Sequence, residues 1–259
     1  MAAKDDVQQA VAQDGWARLP ARLPADLVTR LVRALDDAYA DYRALQIRNG
    51  VGDGTDGTLH HLPCAGGAFL ELLECEHGQR QLEAFFGGPY ILNAYGGVLN
   101  LPNDLSYVGR VHRDQRTFSA DVHLMAQLLV MLDDFTEANG ATYFLSGSHR
   151  GAERPADEAF FRNAVRAVAP AGSIVLFDSN LWHAAGANRT DRPRRALTLG
   201  FTRPFIKQQL DYPRALGYER VDSFSPALRQ LLGYNARVPA SLDEWYQPPE
   251  KRLYKREQG

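Results

Sequence analysis

The chain predicts a mainly β domain: a jelly roll with helices flanking it. Three observations carry this. About eight short runs of strand-forming residues, separated by turn signals, follow one another between residues 90 and 203, as in a double-sheet jelly roll. Two stretches with helical spacing of apolar residues precede them. No internal repeat is present.

From Pro24 to Leu45, Leu27, Val28, Leu31, Val32, Leu35, Tyr39 and Tyr42 recur at helical spacing with charges between them, which predicts a helix lying on a flat surface. Residues 68–86 predict a second helical region through Phe69, Leu70, Leu72, Leu73, Leu82, Phe85 and Phe86, divided by Gly78 and ended by Gly87-Gly88-Pro89. The strand-like runs are 90–99, 107–114, 124–132, 141–145, 164–168, 173–177, 181–184 and 196–203. A turn at Leu101–Asp104 precedes the second of them. Residues 206–259 predict a wrapping segment with a short helix at Pro226–Leu232. The expected organisation is one domain over 1–259: a helical part to residue 89, a jelly-roll core over 90–205 and the wrapping segment. Four glycines between positions 50 and 57 make 47–67 a loop of the kind that serves as a lid. His60 and His61 then face a substrate, or lie exposed on a plain surface loop; no third ligand accompanies them for a metal.

With 259 residues, 45% hydrophobic and 23% charged, the chain has the composition of an ordinary globular enzyme. Its net charge of −2 carries no basic excess for nucleic acid or an anionic membrane. The acidic N-terminus lacks an apolar leader and no run reaches membrane-spanning length, so the expected location is cytoplasmic. Cys64 and Cys75 lack zinc-type spacing and are expected as reduced thiols.

His112-Arg113-Asp114 forms an H-x-D triplet; His183 follows 71 residues later and Arg194 eleven residues after that. On a strand, His112 and Asp114 point the same way with Cα atoms roughly 6–7 Å apart, within reach of one ion. Two imidazoles and a carboxylate on one face of an octahedral metal leave three positions open, the ligand set of non-haem iron sites that activate O2. A surface triplet and a satisfied core histidine are the competing readings of each part alone. In 194–201, alternation places Arg194, Ala196, Thr198 and Gly200 on one face and Leu197, Leu199 and Phe201 on the other, leaving a cavity with a guanidinium at its end, suited to a carboxylate. Arg195 faces away as a solvated charge. Arg116 and Gln127 are candidates for substrate contact, with ion pairing or strand-end hydrogen bonding as alternatives. His149 is expected to be structural.

Together with the segment Met131-Leu132-Asp133-Asp134-Phe135-Thr136-Glu137-Ala138-Asn139-Gly140-Ala141 and Ser146-Gly147-Ser148-His149, these residues make the chain resemble the phytanoyl-CoA dioxygenase family of Fe(II)/2-oxoglutarate-dependent oxygenases, in its bacterial small-molecule branch, from about Gly15 to Phe205. The resemblance implies a double-stranded β-helix, cupin-like core. It implies that His112, Asp114 and His183 bind Fe(II), that Arg194 anchors 2-oxoglutarate and that Asn100 bonds this cosubstrate. O2 is then consumed, 2-oxoglutarate becomes succinate and CO2, and an unactivated C–H bond of a small organic molecule is hydroxylated. Relatives that halogenate lack the carboxylate, so Asp114 favours hydroxylation. Ala185 stands where some relatives carry a serine hydroxyl near the cosubstrate. Desaturation, epimerisation and ring formation remain open outcomes, as do a non-catalytic metal-binding jelly roll and a zinc hydrolase. The expected partner is a small polar molecule; the oligomeric state is left open.

Overall fold

The computed structural model describes residues 2–75, 77–102 and 107–258. The chain forms, in order, α1 (Ala2–Asp14), β1 (Trp16–Arg18), α2 (Ala25–Arg48), β2 (Thr58–His60), α3 (Ala68–Glu74), α4 (Gln79–Phe86), β3 (Ile91–Asn100), β4 (Met125–Met131) and β5 (Tyr143–Phe144). Then come α5 (Asp157–Asn163), β6 (Val165–Arg166), β7 (Ile174–Asp178), β8 (His183–Ala184), β9 (Arg194–Thr202), α6 (Tyr212–Leu216), α7 (Pro226–Leu231) and α8 (Leu242–Trp245). Six strands pair antiparallel in the order β1-β7-β4-β9-β3-β2, and three more in the order β6-β5-β8. The two sheets make a jelly roll.

Period-two alternation explains how one set of strands serves two interiors. Along β4, Ala126, Leu128 and Val130 join the larger hydrophobic core, whereas Leu129 and Met131 join the core between the sheets. On β7, Ile174 and Leu176 take the first side and Val175 and Phe177 the second. β9 follows suit, with Leu197, Leu199 and Phe201 in the larger core. In β3 a bulge between Leu92 and Ala94 changes the alternation. Leu92 and Tyr95 therefore lie in the larger core, while Ala94, Gly96 and Val98 line a cavity.

The larger core lies under the helices. α2 buries Leu27, Val28, Leu31 and Leu35, and it lies so close to the sheet that a Cβ on Gly97 would overlap Leu35 Cδ1. α3 and α4 are separate helices divided at Gly78, which adopts φ +91°. α7 adds Leu228 and Leu231 to the same core.

Three expectations change. No strand covers 107–114: Tyr107–Gly109 is a 3₁₀ turn and His112 makes a single antiparallel bridge with His183. The alternation of Tyr107 to Val111 suits a strand, but no neighbouring strand pairs with it. The turn at Leu101–Asp104 falls partly outside the described residues. Residues 47–67 are not one loop, because α2 continues to Arg48 and Thr58–His60 pairs with Gly96–Val98 as an edge strand. Gln46 Nε2 donates to Thr58 O at 2.8 Å and ties the two together. Arg195 is not a solvated charge; it pairs with Asp36 of α2 at 2.8 Å and with Asp133 at 3.3 Å.

Among the described residues no helix is long and apolar enough to cross a membrane. Cys64 and Cys75 are both free thiols.

Candidate metal centre

Backbone pairing brings distant residues together. His112 and His183 exchange both main-chain bonds, at 3.0 Å from His112 N–H and 2.8 Å from His183 N–H, which sets their side chains next to each other. Their ring centroids lie 4.2 Å apart. Gln115 N–H donates to Ser179 O at 3.0 Å, holding the extended segment alongside the turn before β8 and carrying Asp114 past the same point. Asp114 Oδ1 is 3.8 Å from His112 Nε2, and Oδ2 is 3.7 Å from His183 Nε2. The ligand atoms of all three lie within 4.8 Å of one another.

Both imidazoles are oriented by the main chain. His112 Nδ1 bonds Arg110 O at 2.7 Å and His183 Nδ1 bonds Leu181 O at 2.9 Å. A carbonyl only accepts, so in each neutral ring Nδ1 carries the proton and the Nε2 lone pair faces the centre. Burial, reinforced by His112, pushes His183 down to about 4, so it is neutral and ready to donate its lone pair at neutral pH.

These groups line a cavity of about 360 Å³. Arg194 projects into it together with Ala196 and Thr198, as the alternation of β9 requires. The arginine is 2% exposed, its guanidinium carbon lies 4.0 Å from the Phe135 ring centroid, and its Nε and Nη1 have no hydrogen-bond partner among the described residues. Burial lowers Arg194 to about 9, against an opposing pull from Asp133, so the group stays charged at neutral pH. A buried cation with two idle donors calls for a forked anionic acceptor. The nitrogen, nitrogen and oxygen donor set fits a ferrous ion. The residues present therefore fit both an iron ion and a dicarboxylate cosubstrate.

Arg116, Gln127, His60 and His61 also line the cavity. Gln127 has a buried Oε1 without a partner. It is held opposite Gly200, where a Cβ would come within 3.0 Å of its Nε2. His60 Nε2 is 3.1 Å from the Tyr107 hydroxyl and His61 Nδ1 is 3.0 Å from the Tyr212 hydroxyl. Burial lowers both imidazoles. Asn100 does not join the group: its Nδ2 donates to Gly186 O at 3.0 Å and to Asn139 O at 3.4 Å. Its amide nitrogen thus braces the loops beside β9. Ala185 lines the cavity without a hydroxyl. Sequence reasoning missed Tyr107, Thr58, Gln209 and Arg113 as lining residues. Alternation turns the middle residue of an H-x-D triplet away, and no local pattern announces the exception.

The segment after β4 is architectural. Asp133 accepts from Arg195 N–H at 2.7 Å, Asp134 from Ala171 N–H at 2.8 Å, and Asn139 Oδ1 from Thr136 N–H at 2.8 Å. Gly140 sits at φ +80°, and a Cβ there would overlap Gly186 O and come within 2.7 Å of Asn100 Nδ2. Gly140→Ala is expected to cost about 1–3 kcal/mol through this strain, read as a lower thermal midpoint; an unchanged midpoint contradicts the packing. Ser148 Oγ accepts from Trp182 N–H at 3.0 Å, and His149 Nε2 lies 3.2 Å from Ala12 O, both structural contacts.

Comparison with known proteins agrees with this geometry. Residues 101–196 match the sequence model of the phytanoyl-CoA dioxygenase (PhyH) family. The uncharacterized protein Rv1501 of Mycobacterium tuberculosis is 48% identical over 132 residues, 51% of this chain and 48% of its own. The chain thus spans about half the length of that curated relative. The crystal structure of EctD from S. alaskensis with bound Fe aligns with TM-score 0.64 at 21% identity, covering 78% of each chain. That of SnoN, an alpha-ketoglutarate-dependent epimerase from nogalamycin biosynthesis, aligns with TM-score 0.59 at 19% identity, covering 78% of this chain and 81% of its own. The segment matched by the family model, 96 of the 259 residues, contains His112, Asp114, His183 and Arg194.

Proposed function

We propose that the protein is an Fe(II)- and 2-oxoglutarate-dependent dioxygenase that hydroxylates an unactivated C–H bond of a small organic molecule. One observation carries the reading: three donors that suit one ferrous ion share a cavity with a buried guanidinium whose Nε and Nη1 have no hydrogen-bond partner among the described residues. His112, Asp114 and His183 would hold the iron, and Arg194 the far carboxylate of 2-oxoglutarate. Bound there, the iron would let O2 be split between succinate and the substrate hydroxyl, with release of CO2.

The chain's own part is placement. Leu181 O and Arg110 O keep both Nε2 lone pairs aimed at one point, and Asp114 contributes the negative charge that lowers the cost of a dication there. Asp114 fills the position that halogenating relatives leave to chloride, which supports hydroxylation. Phe144, Phe177 and Leu129 wall the inner end of the cavity and exclude water. His60, His61, Arg116 and Gln127 stand where a substrate would meet them.

Anaerobic titration of the protein with Fe(II) and then 2-oxoglutarate tests the reading. A weak visible charge-transfer band, saturating at one equivalent of each, is the expected result. Absence of the band with both present, or its formation with Zn(II) alone, overturns it. A metal-binding jelly roll without catalysis has no use for the guanidinium and gives no band on adding 2-oxoglutarate.

A further inference from the structure

We infer that the substrate is a small anion whose carboxylate or phosphate is bound by Arg116 and Arg113, an assignment that rests on the iron and 2-oxoglutarate reading of the same cavity. Charge decides it. Asp114 is the sole carboxylate among the described residues lining the cavity, against three guanidiniums on Arg113, Arg116 and Arg194. The far carboxylate of 2-oxoglutarate answers Arg194. Asp114 and the near carboxylate of the cosubstrate together offset the two charges of a ferrous ion. Arg113 and Arg116 are left over.

Neither has an ion-pair partner among the described residues. Arg113 has a buried Nη1 with no acceptor, and its guanidinium is fixed by the rings of Phe118 at 5.6 Å and Trp182 at 5.2 Å. A buried donor without an acceptor is costly unless a ligand supplies one. The exposed Arg116 and the half-buried Arg113, neither paired with a carboxylate, favour an anion over a cation at this cavity. Gln127 refines the class: its buried, idle Oε1 accepts a hydrogen bond, so the molecule also carries a hydroxyl or N–H group. A volume of about 360 Å³ is near the lower end of the roughly 300–1,000 Å³ range of ligand pockets. The cosubstrate shares it, so the substrate is small.

Three probes of four carbons each separate the possibilities: butanoate, butylphosphonate and butanamide. Each is titrated anaerobically into protein saturated with Fe(II) and 2-oxoglutarate, following heat and the visible band. The expected result is binding of butanoate, butylphosphonate or both, with the band retained, and none of butanamide. Arg116→Gln should weaken anion binding by about tenfold or more while the band still saturates at the same 2-oxoglutarate concentration. Arg189→Gln, at an exposed position that lines an adjoining groove and not the cavity, should match the wild type. Preference for butanoate points to a carboxylic acid substrate, and preference for butylphosphonate to a phosphate ester. Equal binding of the amide, equal binding by Arg116→Gln, binding of no probe, or loss of the band through displaced cosubstrate overturns the inference. Failure of the band to form before any probe is added counts instead against the iron and 2-oxoglutarate reading.

Discussion

On the proposed reading, Asp114→Asn is expected to abolish tight iron binding and succinate formation while leaving the fold in place. The carboxylate is one of only three donors, and an amide offers a weaker, uncharged oxygen in the same volume. Loss of a partner that merely orients a ligand costs about 10–100-fold in metal affinity, so loss of a ligand itself should exceed about 100-fold. His183→Ala should act at least as strongly, but it also empties space between Phe144 and Phe177, whose centroids lie 6.0 and 5.0 Å from the imidazole. Its thermal midpoint should fall as well, which makes Asp114→Asn the cleaner variant. Anaerobic Fe(II) titration with circular dichroism as the folding control reads the effect. Wild-type iron affinity in Asp114→Asn would remove the metal centre from the account.

Arg194→Met should change two quantities in opposite directions. With 2-oxoglutarate as the ligand, removing one partner of a buried ion pair costs about 3–5 kcal/mol, or about two to nearly four powers of ten in affinity. Without ligand, the same guanidinium is a buried cation whose Nε and Nη1 have nothing to bond. Methionine fills much of its volume over the Phe135 ring without that desolvation cost, so the ligand-free variant should melt at or above the wild-type temperature. Arg194→Lys should recover little affinity, because a point charge cannot replace a planar fork. Isothermal titration with 2-oxoglutarate and a thermal melt of the ligand-free protein give both signs. A variant that melts well below the wild type and binds 2-oxoglutarate normally would make Arg194 a structural residue.

The legible part of the molecule was the part written in periodicity. β9 shows why: Leu197, Leu199 and Phe201 meet the helices while Arg194, Ala196 and Thr198 meet the cavity, so a single alternating string specifies strand, core and pocket. α2 and the break at Gly78 were legible for the same reason. Short elements fixed by long-range pairing were not. β1 is three residues held by Phe177, Leu176 and Val175 of β7, and β2 is three residues held by β3. α1 buries Val7 and Val11 among its described side chains, too narrow a stripe to announce a helix. In the site, the convergence of His112, Asp114 and His183 could be read because a metal-binding donor set is chemically restrictive. Asn100 was legible only as a candidate, because an amide near the right strand can equally well tie loops together, and here its Nδ2 donates to Gly186 O and Asn139 O. Arg113 was invisible because its position follows from the absence of a regular strand at 107–114.

The reciprocal main-chain bridge between His112 and His183 means that the spacing of two of the three donors is written in amides and carbonyls, which every sequence shares. The imidazoles too are aimed by carbonyl oxygens and not by replaceable side chains. Substitutions around the mouth can therefore accumulate without moving the three donors apart. A scaffold built this way separates what must stay constant from what selection is free to rewrite, and new specificities can arise on it by exchanging wall residues one at a time.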